Sequence, residues 1–197
     1  KEGFLAAVFI SSLISFPIFG GLAVIAPELV SIVFGNKWEG ATFTLQAFSC
    51  IGFLTCIGVL QASLITSQGK ARWWMNYQIF QQILTFVVVV STYRLGVDIL
   101  ISAIAVKTFL TWPVTINIVL RILRTSLQDY FLPFFGPALG TAVMVASVLL
   151  LKHVYTFPET YLGLSALIVL GSAAYLAIAA PLCGPRLFLL FKRRSAV

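Results

Sequence analysis

Residues 99–120 read ILISAIAVKTFLTWPVTINIVL, a run apolar and long enough to cross a bilayer that still carries Lys107 near its middle. A helix rising about 1.5 Å per residue needs about 20 residues to cross about 30 Å of hydrocarbon, so the run fits one crossing. No other candidate span holds a charge so far from both of its ends. A lysine at that depth costs about 3 kcal/mol or more unless it meets water, a partner or a ligand, which makes it a functional candidate by default. Thr108, Thr111 and Thr115 fall within roughly 100° of Lys107 on a helical wheel. Pro113 withholds a donor from the carbonyl of Phe109 and invites a kink. The alternative is structural: Lys107 snorkels to an interface or pairs with a neighbouring helix.

The rest of the composition places this run among others like it. The 197 residues are 60% hydrophobic and 10% charged, with a mean hydropathy of +1.02. Soluble domains carry about 25% charged residues, so this is an integral membrane protein. Apolar segments run approximately over 4–26, 41–64, 73–92, 97–120, 132–151 and 162–180. Backbone groups in lipid must bond internally, and no two-residue alternation suggests a barrel. The expected fold is all-α: a polytopic helical bundle of about six transmembrane helices, with short interfacial helices.

Net charge is +7. In a soluble chain that would suggest nucleic acid, but here the cations sit between apolar runs, where they set topology. With the N-terminus inside, Lys1, Lys70, Arg72, Arg121, Arg124, Arg186, Lys192, Arg193 and Arg194 lie on the cytoplasmic side, against Lys37, Arg94 and Lys152 outside. Nine against three places both ends in the cytoplasm. Nucleic acid is not an expected partner. Cys50, Cys56 and Cys183 lie in or beside apolar runs without metal-ligand spacing, and His153 falls in an expected loop. No hydrolase, metalloprotease or P-loop pattern appears, so neither an enzymatic activity nor a metal or cofactor is expected. The chain begins with Lys1 rather than Met and enters a span at once, as a piece of a longer protein without a signal peptide would.

Several local patterns add detail. Ser11, Ser12, Ser15, Pro17, Gly20 and Gly21 make the first span fit for close helix packing. Pro27 suits the first position of a short interfacial helix that Glu28 complements and Gly35 closes, with Trp38 at headgroup level. In the third span Gln78, Gln81, Gln82 and Thr85 stand at i, i+3, i+4 and i+7, a polar stripe that must face protein or water. Interhelical hydrogen bonding is the structural alternative for it. Trp73 and Trp74 suggest an inner aromatic belt. Thr125 to Gln128 has a capping-box pattern opening a surface helix that leads through Pro133 and Pro137 into the fifth span. Gly136 and Gly140 form a GxxxG, a packing motif. The fifth and sixth spans have few polar side chains and read as lipid-facing or peripheral. The basic tail suits anionic headgroups.

The run SFPIFGGLAVIAPELVSIVFGNKWEGA, a span, and then LQASLITSQGKAR resemble the polysaccharide exporters of the multidrug/oligosaccharidyl-lipid/polysaccharide superfamily, the O-antigen and colanic-acid type flippases. Pro27, Glu28, Leu29, Val30, Phe34, Gly35, Lys37, Trp38 and Ala41 match the family's loop, and Gly69 its second loop, where Ser67-Gln68 departs from the commoner pair. SLQDYFLPFFGPALG is similar to the inner segment preceding the last two spans of longer members. The likeness covers essentially all of residues 1–197, which would then be the C-terminal transmembrane part of a larger, flippase-like transporter.

The resemblance implies a flippase of the bacterial inner membrane that moves undecaprenyl-pyrophosphate-linked sugar repeats by alternating access. Lipids, a polysaccharide polymerase and export machinery would be its partners. Lys107 would attract the diphosphate, while Gln78, Gln81, Gln82 and Thr111 would exchange hydrogen bonds with the sugars. Two other readings stay open. A drug or metabolite antiporter would favour an acidic residue in the membrane, and Asp98 lies only at a span's end. A non-transporting scaffold of a polysaccharide synthesis complex would keep its polar faces packed and dry. A membrane glycosyltransferase lacks paired carboxylates here.

Overall fold

The computed structural model describes residues 1–155 and 160–194, the side chains of Asn36, Arg186 and much of the end of the last helix excepted. The described chain is all-helical: α1 Glu2–Leu29, a π-helical turn Val30–Phe34, α2 Ala41–Ser67, α3 Ala71–Thr92, α4 Val97–Leu123, α5 Leu127–Val154 and α6 Tyr161–Arg194. Five of these runs are long and apolar enough to cross a membrane. The exception is α3, one fewer than the sequence suggested, because Arg72, Asn76, Gln78, Gln81 and Gln82 crowd its first three turns. Each of α2, α3, α4 and α6 packs back on the helix before it, whereas α5 leaves α4 and packs on α1. Large apolar side chains point outward throughout, Phe86 at 69% exposure among them. Such a surface suits lipid rather than water.

At the centre stands α1, with α5 and then α6 on one side and α2, then α4 and α3, on the other. Ser12 and Ser15 are buried along it, as close packing required. A Cβ on Gly20 would strike Thr141 of α5, and one on Gly52 of α2 would strike the ring of Phe19, so both approaches depend on glycine. At one end of the bundle Val8, Ile57, Ile65, Ile116, Val119, Tyr130 and Phe134 form a shared core. Towards the other, Val24 and Ile25 pack on Val148, Leu164 and Leu167.

Pro27 does not begin a new helix. It lies inside α1, which runs on through the π turn to Gly35, so the expected interfacial helix is the end of the first span. Two neighbouring side chains accommodate it. The carbonyl of Ala23, four residues back, loses its usual donor at a proline, and Gln46 Nε2 donates to it at 3.3 Å. Lys152 Nζ donates to the next carbonyl, Val24, at 2.8 Å and pairs with Glu28 at 2.7 Å. Pro17 repeats the device: the freed carbonyl of Leu13 accepts from Tyr175 Oη of α6 at 2.7 Å. Gly35 does close the run, at φ 80° and ψ 166°, a conformation open essentially to glycine alone.

The junction before α5 also departs from expectation. Its N-cap is Ser126, whose side chain accepts from the Asp129 amide at 3.1 Å, one residue on from the expected box. The segment from Leu127 to Phe135 is no surface helix but the first turns of α5. Tyr130 within it is fully buried and accepts from Gln61 Nε2 at 2.8 Å. Nor is α5 peripheral: it packs between α1 and α6, with Gly140 against Tyr175 and Gly136 against Cys183. His153 lies in its last turn rather than in a loop. Cys50, Cys56 and Cys183 form no disulfide among the described residues. The side chains of the basic tail lie outside those described.

Candidate functional site: a polar seam and groove between α2, α3 and α4

The face of α3 that meets α4 is built from Tyr77, Gln81 and Thr85, spaced one helical turn apart. Opposite them on α4 stand Lys107 and Thr111, likewise one turn apart. Lys107 Nζ donates to Thr85 Oγ1 at 2.9 Å, and that hydroxyl donates onward to the Gln81 carbonyl at 2.7 Å. Gln81 Nε2 spends its two hydrogens on Tyr77 Oη and Thr111 Oγ1, both at 2.9 Å. Tyr77 Oη in turn donates to the Thr111 carbonyl at 3.1 Å, and Thr111 Oγ1 to the Lys107 carbonyl at 2.9 Å. Three of these bonds join α3 to α4. At about 0.6 kcal/mol each in a bilayer they supply about 2 kcal/mol. That matters locally, since α3 has no buried residue of its own.

Below the seam a groove of 410 Å³ opens between α2, α3 and α4. Its walls include Gln61 of α2, Trp74, Tyr77, Gln78 and Gln81 of α3, and Thr108, Thr111, Trp112 and Thr115 of α4. None of its lining residues is charged, and Lys107 is not among them. Trp73 and Trp74 are half-buried and pack on Tyr77, with ring centroids 5.4 and 5.6 Å away, and Trp74 also lines the groove.

The structure therefore brings together Lys107, Gln81 and Thr111 of the expected residues, with Gln78 exposed at the groove. Gln82 is exposed and outside the groove. The inward stripe is Tyr77–Gln81–Thr85: it keeps Gln81 and Thr85 of the expected Gln78, Gln81, Gln82 and Thr85, and Tyr77 takes the place of Gln78 and Gln82. Tyr77 was missed because an aromatic ring reads as apolar, although its hydroxyl ties the seam together. Trp112 and Gln61 were not among the expected site residues. The signal available for Tyr77 was its i, i+4, i+8 spacing with Gln81 and Thr85.

A bundle of long apolar helices with one polar seam and a charge-free groove defines a multi-pass helical membrane protein. A family profile described as "Polysaccharide biosynthesis protein" matches residues 1–43. The teichuronic acid biosynthesis protein TuaB of Bacillus subtilis (strain 168) is 27% identical over 150 residues, 73% of this chain and 30% of that protein. An uncharacterized membrane protein in the cps region of Klebsiella pneumoniae is 25% identical over 182 residues, 89% of this chain and 36% of that protein. These matches support a member of a polysaccharide biosynthesis and export family. The chain spans about a third of the length of the curated relatives it matches. No solved structure matches it.

Proposed function

We propose that this chain is part of a bacterial inner-membrane flippase that moves a sugar repeat carried on a polyprenyl diphosphate, non-enzymatically and by alternating access. The observation that carries the reading is Lys107. It stands ten residues from the start of α4 and sixteen from its end, and its partner among the described residues is a neutral hydroxyl, Thr85. The one ion pair among the described residues is Lys152–Glu28, at the far end of α1. A half-buried cation whose charge no carboxylate offsets attracts an anion, and a diphosphate is the anion that a lipid-linked sugar offers. The likeness to a teichuronic acid biosynthesis protein supports a polysaccharide substrate. Residues 1–197 would form the C-terminal part of the transporter, working beside lipids, a polymerase and export machinery.

Export of surface polysaccharide by the full-length protein, at matched membrane abundance, tests Lys107. As a point charge for phosphate, Lys107→Arg should keep most of the activity and Lys107→Gln lose most of it. Full export in Lys107→Met would end the claim, since an apolar chain of like volume is harmless only where the charge is idle. Orientation is tested separately. With both ends cytoplasmic, a cysteine at Gly69 in a background lacking Cys50, Cys56 and Cys183 should resist an impermeant maleimide, and one at Gly40 should react.

A further inference from the structure

Five buried side-chain polar atoms lack a hydrogen-bond partner among the described residues, and three of them belong to the walls of the α2–α3–α4 groove. They are Gln61 Oε1, Gln81 Oε1 and Trp112 Nε1: two acceptors and one donor. Buried polar atoms are nearly always paired, because each unpaired one carries its full desolvation penalty. Three gathered along one groove make it a surface able to bond a polar ligand. The four hydrogens of the Gln61 and Gln81 amides point elsewhere in part: Gln61 Nε2 holds Tyr130, and Gln81 Nε2 is spent on the seam. The atoms left over, Gln61 Oε1, Gln81 Oε1 and Trp112 Nε1, all belong to side chains that line the groove.

The remaining lining narrows the occupant. It contains no carboxylate, lysine or arginine, so it offers nothing to a phosphate. It does offer flat aromatic faces in Trp74, Tyr77 and Trp112, a free amide in Gln78, and threonine hydroxyls. Gln78 is exposed and has no hydrogen-bond partner among the described residues. Aromatic faces that cover a ring's C–H surface, with amides placed to exchange hydrogen bonds at its edge, suit an uncharged polyhydroxylated ring. A lipid tail would leave the three orphaned atoms unsatisfied. We infer that this groove holds a neutral sugar residue of the transported repeat, bonded by Trp112 Nε1, Gln61 Oε1, Gln81 Oε1 and the Gln78 amide, and that it is separate from the Lys107 end of the seam. The inference rests on the transport reading for the identity of its ligand.

The test is equilibrium dialysis of the full-length protein in nanodiscs. One probe is the labelled neutral oligosaccharide freed from the producing strain's surface polysaccharide by mild acid, and the other is inorganic pyrophosphate. The oligosaccharide should bind saturably without competition from pyrophosphate. Gln78→Leu and Trp112→Phe should each weaken it roughly ten-fold, the effect of one good hydrogen bond, without lowering the melting temperature. Trp112→Phe removes an N–H that has no partner in the protein, so a purely structural role predicts no loss of sugar binding. A loss in either variant at unchanged stability sustains the assignment. Absent binding, unchanged binding in both variants, or a loss that appears only with a lower melting temperature overturns it. Intact export in Lys107→Met with intact dialysis behaviour would fell the diphosphate assignment alone, whereas intact export with no oligosaccharide binding would fell this one alone.

Discussion

Removing the Lys152 ammonium tests how α1 is held to α5 beside Pro27. Its Nζ lies 2.7 and 2.8 Å from the two oxygens of Glu28 and 2.8 Å from the Val24 carbonyl. The side chains are 21% and 22% exposed, so the pair lies between two limits. Fully exposed pairs contribute about 0–1 kcal/mol. Truncating one partner of a fully buried pair costs about 3–5 kcal/mol, because the other charge is left behind. Lys152→Met should therefore destabilise by about 2 kcal/mol, having stranded both a half-buried carboxylate and a backbone oxygen. For a chain of this size that lowers the melting temperature by about 4–8 °C, and by less in a longer protein. Thermal unfolding in detergent, followed by helix circular dichroism, reads the shift. Glu28→Leu then supplies the control. With the carboxylate gone, adding Lys152→Met should cost about 1 kcal/mol, the share of the Val24 bond. An equal cost in both backgrounds would mean that the two charges do not interact, and the account of how α1 passes Pro27 would fall with it.

The other proline in α1 makes a second cycle. Tyr175→Phe should cost about 1 kcal/mol, because Leu13 then has no donor, and should cost nearly nothing once Pro17→Ala restores the amide. A Tyr175→Phe penalty independent of residue 17 would refute the exchange. At the α5–α6 contact, a Cβ on Gly140 would stand 3.0 Å from the Tyr175 ring, whereas one on Gly58 meets nothing within 4 Å. Gly140→Leu should therefore lower the melting temperature by several degrees and Gly58→Ala should not. Similar shifts in both would remove glycine packing as the reason that α5 sits between α1 and α6.

What could be read from the sequence followed from what polarity reports inside a membrane. The helices themselves were legible, since lipid demands long apolar runs, and so was Lys107, since a charge at mid-span contradicts its surroundings. The position of α5 was not. In water a helix packed on a core shows one apolar face, but in lipid every face of a helix is apolar, and burial leaves a trace only in small residues. Gly136 and Gly140 were that trace, and they marked packing without saying how deep it lay. The prolines misled for a related reason. Pro27 inside a helix is costly in an isolated segment, so the sequence favours a helix start there. The structure keeps the helix because Gln46, twenty-three residues from Ala23, and Lys152, still more distant, supply donors to the carbonyls beside the proline. Such compensation is tertiary and leaves no local pattern. The same holds for the seam. Gln78 and Gln81 were visible as amides, but which face turns inward depended on Tyr77, whose hydroxyl is a small part of a large ring, and on the place of Thr111 opposite. The groove's unpaired atoms are the extreme case: Gln61, Gln81 and Trp112 lie on three helices, and only the fold sets them around one space.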